Sequence, residues 1–258
     1  MLLAPTPEIA AACDLLDDTI VRAIETIRLT TDAYAAFGKF EADREAVNLL
    51  KITIRSVEGV IELARRDLTL LPPAAMIARG AFEVSLKAAW LVDCDDPFDR
   101  ERRWLQQLAT EERTWLRVAK HAGNGDRGDS DALNQLNAIK AFREGIEAAF
   151  PPGYQPVNRM PSVADMASIL HDKQIYVAYI YLSQFVHGES IASRAYEPVE
   201  APRLDAMTSL HWSLPLKIAW LALFKSTRKI ISRFGGDPDV FMSEGEATEV
   251  RNALQAIT

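Results

Sequence analysis

Apolar residues recur every three or four positions along almost the whole chain, and nowhere does a two-residue alternation bounded by turn signals appear convincingly. Helices repeat their faces about every 3.6 residues and strands every two, so this spacing predicts an all-α fold. Breakers divide the pattern. The first helix is expected from Pro7 to Ala36 and the second from Glu41 to Arg66, with Gly38 punctuating the turn between them. After Pro72 and Pro73 a third helix spans Ala74 to Val92, and Asp96-Pro97 opens a fourth that reaches His121. The stretch Gly123 to Asp129 reads as a loop, followed by a helix from Ser130 to Phe150. Pro151, Pro152, Gly153, Pro156 and Pro161 then form an irregular excursion before a short helix near Val163 and another from Lys173 to His187. A connection from Glu197 to Pro202 leads to the last long helix, Leu204 to Arg233, which Gly235-Gly236 ends, and a short amphipathic helix begins at Ser243. No stretch resembles an interdomain linker, so residues 1–258 are expected to form one all-α domain, a bundle of about seven or eight helices.

Charge and cysteine usage narrow the function classes. A formal net charge of −7 argues against indiscriminate binding to nucleic acid or an acidic membrane. Cys13 and Cys94 make neither a disulfide framework nor a zinc spacing, which fits a reducing cytoplasm, and both are expected in the core. The N-terminal sequence lacks the basic flank and long apolar run of a secretion signal. Leu214 to Phe224 is interrupted by Lys217 and falls short of the ~20 residues that cross a bilayer, so it reads as a buried helix and no membrane association is expected. No metal or cofactor is expected either: His-Glu-x-x-His and Glu-x-x-His are absent, and Asp93, Asp95 and Asp96 read as solvated caps. Gly123-Asn-Gly-Asp-Arg-Gly128 matches the dinucleotide fingerprint in letters only, since it follows a helix and lies among acids.

Two four-residue steps stand out. Arg79 and Glu83 lie on one face of the third helix, and Ser183 and His187 on one face of the seventh, just before Gly188. In the seventh helix Ile175, Tyr179, Leu182 and Val186 form one stripe and Tyr176, Ile180, Ser183 and His187 its neighbour, which predicts a central helix whose polar groups need partners. Histidine is the side chain suited to proton transfer near neutral pH, and arginine to neutralising an anion. Two readings of each step stand side by side. His187 is either a proton carrier or a buried histidine satisfied by Ser183 and a carbonyl. Arg79, Glu83 and Lys87 are either an anion site or a solvated ladder of ion pairs worth ~0.2–0.5 kcal/mol each. A third arrangement, a ligand pocket lined by Trp90, Tyr176 and Tyr179, also fits the spacing. The cations Arg103, Arg113, Arg117 and Lys120, with Lys225, Arg228, Lys229 and Arg233, read as solvated faces that would seat RNA only if they converged.

Arg79-x-x-x-Glu83 with Trp90-Leu91 following, then Tyr179-x-x-x-Ser183-x-x-x-His187-Gly188, resembles an uncharacterised bacterial family of all-α proteins grouped with HEPN-like domains. The resemblance runs over residues 70–190. It implies a helical bundle, a homodimer, and a defence or toxin role with an antitoxin or defence-system partner. It further implies metal-independent ribonuclease chemistry on RNA or a nucleotide, with Arg79, Glu83, Ser183 and His187 as the catalytic group. The usual HEPN signature is an arginine, four to six intervening residues and a histidine on one helix. Here no arginine precedes His187 at that interval, and Arg117-x-x-x-His121 is one residue too short. Arg79 would have to take that place in space. The alternative is a non-enzymatic binding or sensor module in which the motif residues lock two helices together.

Overall fold

The computed structural model describes residues 3–121, 127–153, 160–169, 173–188 and 209–257. Among them all regular structure is helical: α1 (Pro7–Ala33), α2 (Glu41–Arg66), a 3-10 turn (Leu68–Leu70), α3 (Leu71–Val92), α4 (Pro97–His121), α5 (Arg127–Ala148), α6 (Val163–Ile169), α7 (Lys173–His187), α8 (Ser209–Arg233), α9 (Pro238–Phe241) and α10 (Glu244–Gln255). The all-α expectation holds. The connection expected at Glu197 to Pro202, the start of the last long helix at Leu204, Pro156, and most of the Gly123 loop lie outside the described residues.

The centre is built from α1, α2, α3 and α8, which pack on one another, with α4 joined to α2 and α3 and α5 packed on α4. One contiguous apolar cluster runs from Ile9 in α1 to Ile257. In the stretch read as a buried helix Leu216, Ala219, Trp220 and Leu223 are fully buried, and just before it the buried Trp212 donates its Nε1 to the carbonyl of Leu68 at 2.9 Å. Pro215 lies inside α8, where it removes one intrahelical N–H.

Local signals explain most boundaries. Asp96 Oδ1 accepts from the Phe98 amide at 2.9 Å and starts α4. Gly235 takes φ +77° and the Gly236 amide returns to the carbonyl of Ile231 at 2.9 Å, a Schellman stop for α8. A side chain at Gly236 would meet Ile231 and Thr30 at about 3 Å, so the stop also fixes how closely α1 approaches. Two expectations are corrected here. Pro72 and Pro73 belong to the first turn of α3, where a missing N–H costs nothing, and Arg127 to Asp129 already belong to α5.

At α10, Ser243 and Glu246 form a capping box, and Arg22 of α1 reaches Glu246 at 2.7 Å. Arg22 first, then the Ser243 amide and hydroxyl, hold the Glu246 carboxyl at about 2. Because the folded value lies below the unfolded one, this contribution is present above about 4.5 and disappears as pH falls toward about 2. Glu246→Gln is therefore expected to flatten the stability-pH curve in that interval, as read by urea denaturation at successive pH values. Equal slopes for both proteins would contradict it.

Candidate functional site

The two sequence motifs meet between α3 and α7. Arg79 donates Nε to Ser183 Oγ at 2.9 Å and Nη2 to Tyr179 Oη at 2.8 Å. Tyr179 in turn donates its hydroxyl to Glu83 Oε1 at 2.6 Å, and Ser183 donates to the carbonyl of Tyr179 at 2.9 Å. Arg79 Nη2 also lies 2.8 Å from Glu83 Oε1, so guanidinium, phenol and carboxylate form a closed triangle. The guanidinium sits 4.9 Å above the tyrosine ring, and that ring packs against Phe82 and stacks on Tyr176. Arg79 and Glu83 keep 20% and 29% of their side chains exposed, so the seam opens to solvent. Arg79 Nη1 has no hydrogen-bond partner among the described residues.

Helix spacing produces this geometry. Arg79 and Glu83 are one turn apart on α3, Tyr179 and Ser183 one turn apart on α7, and the pairing of Glu83 with Tyr179 and Arg79 with Ser183 runs the two helices antiparallel. Burial raises the Tyr179 phenol above its ordinary value, and the hydrogen bond it donates to Glu83 pushes the same way, with Arg79 opposing. The phenol is thus held neutral, as a donor to the carboxylate.

Tyr179 is the member that residue-by-residue reading missed as a polar group. It was placed in an apolar stripe, although its position four residues before Ser183 puts it on the same face. His187 departs from expectation in the other direction. It is the last residue of α7, exposed, with Gly188 turning the chain at φ +62°, and no described residue hydrogen-bonds to its side chain. The buried-histidine reading fails, because Ser183 is bonded to Arg79 and to its own helix instead. The central-helix reading also fails: Val177, Ile180 and Tyr181 are about half exposed, since α3, α6 and α8 cover only one side of α7. The solvated ladder is half present, with Arg79 paired to Glu83 but no ion pair from Glu83 to Lys87 among the described residues.

The remaining candidates resolve separately. Trp90 is buried beneath Arg103 and lines a cleft of about 700 Å³ with Asp99, Arg102 and Asp165, without Tyr176 or Tyr179. Four of the expected solvated cations are tied to acids or carbonyls: Arg103 to the carbonyl of Trp90, Arg228 to Asp239, Lys229 to Asp93, and Arg233 to Asp95. Asp93 and Asp95 therefore hold α8, Asp93 from a half-buried position and Asp95 from a solvated one. Cys13 is buried, and burial pushes its thiol up to about 11, whereas Cys94 is only half buried and its thiol contacts Asp99. Among the described residues no three His, Cys, Asp or Glu side chains cluster as metal ligands, and no helix is long and apolar enough to cross a membrane.

Fold and seam together define an all-helical protein in which a guanidinium, a carboxylate, a phenol and a hydroxyl join two antiparallel helices. Residues 45–197, more than half of the chain and including both motifs, match the family of unknown function DUF5677, and the chain belongs to that family. No curated protein and no solved structure matches it.

Proposed function

We propose that the α3/α7 seam is a phosphate-directed site in a HEPN-like protein of bacterial defence or toxin function, acting on RNA or a nucleotide without a metal. The observation that carries this reading is the 2.9 Å bond from Arg79 to Ser183, one helical turn before the exposed His187 on the same face. One turn separates neighbouring side chains by about 5–6 Å, a gap that a phosphate group fills. Glu83 and Tyr179 orient the guanidinium, leaving Nη1 for a phosphate oxygen. His187 takes the proton of a ribose 2′-hydroxyl or gives one to the leaving oxygen, while Arg79 neutralises charge growing on the phosphate.

A second reading is favoured by one specific observation, the balance of the Arg79 charge by Glu83 at 2.8 Å. On that reading the seam is a clamp that docks α7 in a non-enzymatic binding module. Titration of the protein with a dinucleoside monophosphate, followed through the His187 ring signals by NMR, separates the two. The phosphate reading predicts a saturable shift at His187 that Arg79→Lys weakens about tenfold, because the planar fork is lost. No shift in the wild-type protein, with Arg79→Lys altering only the melting temperature, supports the clamp.

A further inference from the structure

On the side of α7 away from the Arg79 seam, α7, α8 and α10 enclose a cleft of about 590 Å³. Three cations line it: Lys217 and Lys225, two turns apart on α8, and Arg251 on α10. No carboxylate lines it, and none of the three cations is ion-paired among the described residues. This contrasts with Arg228, Lys229 and Arg233 on the same helix, each held by an acid. In a chain of net charge −7, three cations gathered without a counter-charge create a local positive potential inside an acidic molecule. Arg251 is oriented by an aromatic ring instead of an acid, its guanidinium lying 5.9 Å over Trp220. The floor is apolar, with Ile218 and Leu221 buried, and Tyr181 stands half exposed at the rim.

Such a cleft matches a ligand with several negative charges at one end and a flat or apolar body at the other. A single carboxylate would leave two of the cations uncompensated. We propose that this cleft binds an oligophosphate-bearing ligand of nucleoside triphosphate size, with the phosphates against Lys217, Lys225 and Arg251 and the body against Tyr181 and the Ile218 floor. The volume lies within the range of ligand pockets, about 300–1,000 Å³. The site is separate from the seam of Arg79 and His187 and does not rest on the function proposed for it.

Isothermal titration of the full chain with ATP, GTP and inorganic triphosphate, without divalent metal, tests this. Lys217→Gln and Lys225→Gln keep the buried stems and remove the charge. Each is expected to weaken binding about tenfold, and Lys51→Gln on the exposed face of α2 to leave it unchanged. Binding should also weaken steeply as salt rises. ATP or GTP binding tighter than triphosphate, with the difference lost in Tyr181→Ala, identifies a nucleotide. Equal affinities insensitive to Tyr181→Ala identify free oligophosphate, which supports the same chemistry. Absence of binding by all three at millimolar concentration overturns the proposal, as does binding that the Lys217→Gln/Lys225→Gln double variant retains in full.

Discussion

Asp43→Ala is expected to cost about 3–5 kcal/mol of folding stability, the range for removing one partner of a buried ion pair. Asp43 and Arg100 are both essentially inaccessible, and they meet through two bonds, Nε to Oδ1 at 2.7 Å and Nη2 to Oδ2 at 3.2 Å. Arg100 Nη1 is spent on the carbonyls of Cys94 and Asp95, so each of its three nitrogens has a partner. Alanine at 43 would strand that charge among α2, α4 and the α3–α4 turn. Beside this pair, Glu101 Oε1 accepts from the Ala42 amide at 2.8 Å, and burial raises its carboxyl above the usual value. Together the two acids anchor the start of α2, whose own cap residue Phe40 has no side chain to offer. Urea denaturation measures the effect. The double change Asp43→Ala, Arg100→Met should recover part of the loss, since it removes the stranded charge as well. A loss below 1 kcal/mol for Asp43→Ala alone would show that the pair is not buried as described.

Neither member of that pair was visible in the sequence, and the reason is physical. Periodicity reports which face of a helix is apolar, and a charged residue on that face reads as an interruption until its partner is known. Asp43 and Arg100 lie 57 positions apart, beyond any local pattern. The same limit explains Asp93 and Asp95, read as caps and found holding Lys229 and Arg233 of α8. Helix boundaries were far more legible, because they depend on neighbours: α2 runs from Glu41 to Arg66 as expected, and Ser243 caps α10 with its own Glu246. The seam falls between these cases. Spacing put Arg79 with Glu83 and Ser183 with His187, and the need of half-buried polar groups for partners brought the first three together. Spacing could not tell that α7 has an open side, so it buried His187, and it counted Tyr179 as apolar although its hydroxyl is the hub of the cluster.

The second large effect is expected at His187. Its exposure at the end of α7 means that His187→Ala removes no packing and no hydrogen bond to a described residue. Stability should change by no more than about 0.5 kcal/mol, as for other surface substitutions. If the residue carries a proton in the reaction, turnover should nevertheless fall by a factor of about 10² or more. Arg79→Ala is expected to differ in lowering stability as well as turnover, because it opens the triangle with Glu83 and Tyr179.

The most direct test is cleavage of a mixed RNA substrate by wild-type protein and His187→Ala in the presence of a metal chelator, with thermal unfolding of both recorded alongside. The phosphate-directed account predicts cleavage by the wild type, its loss in the variant, and matching melting temperatures. No cleavage by the wild type, or cleavage that His187→Ala retains in full, would contradict it and leave the α3/α7 seam as a structural clamp.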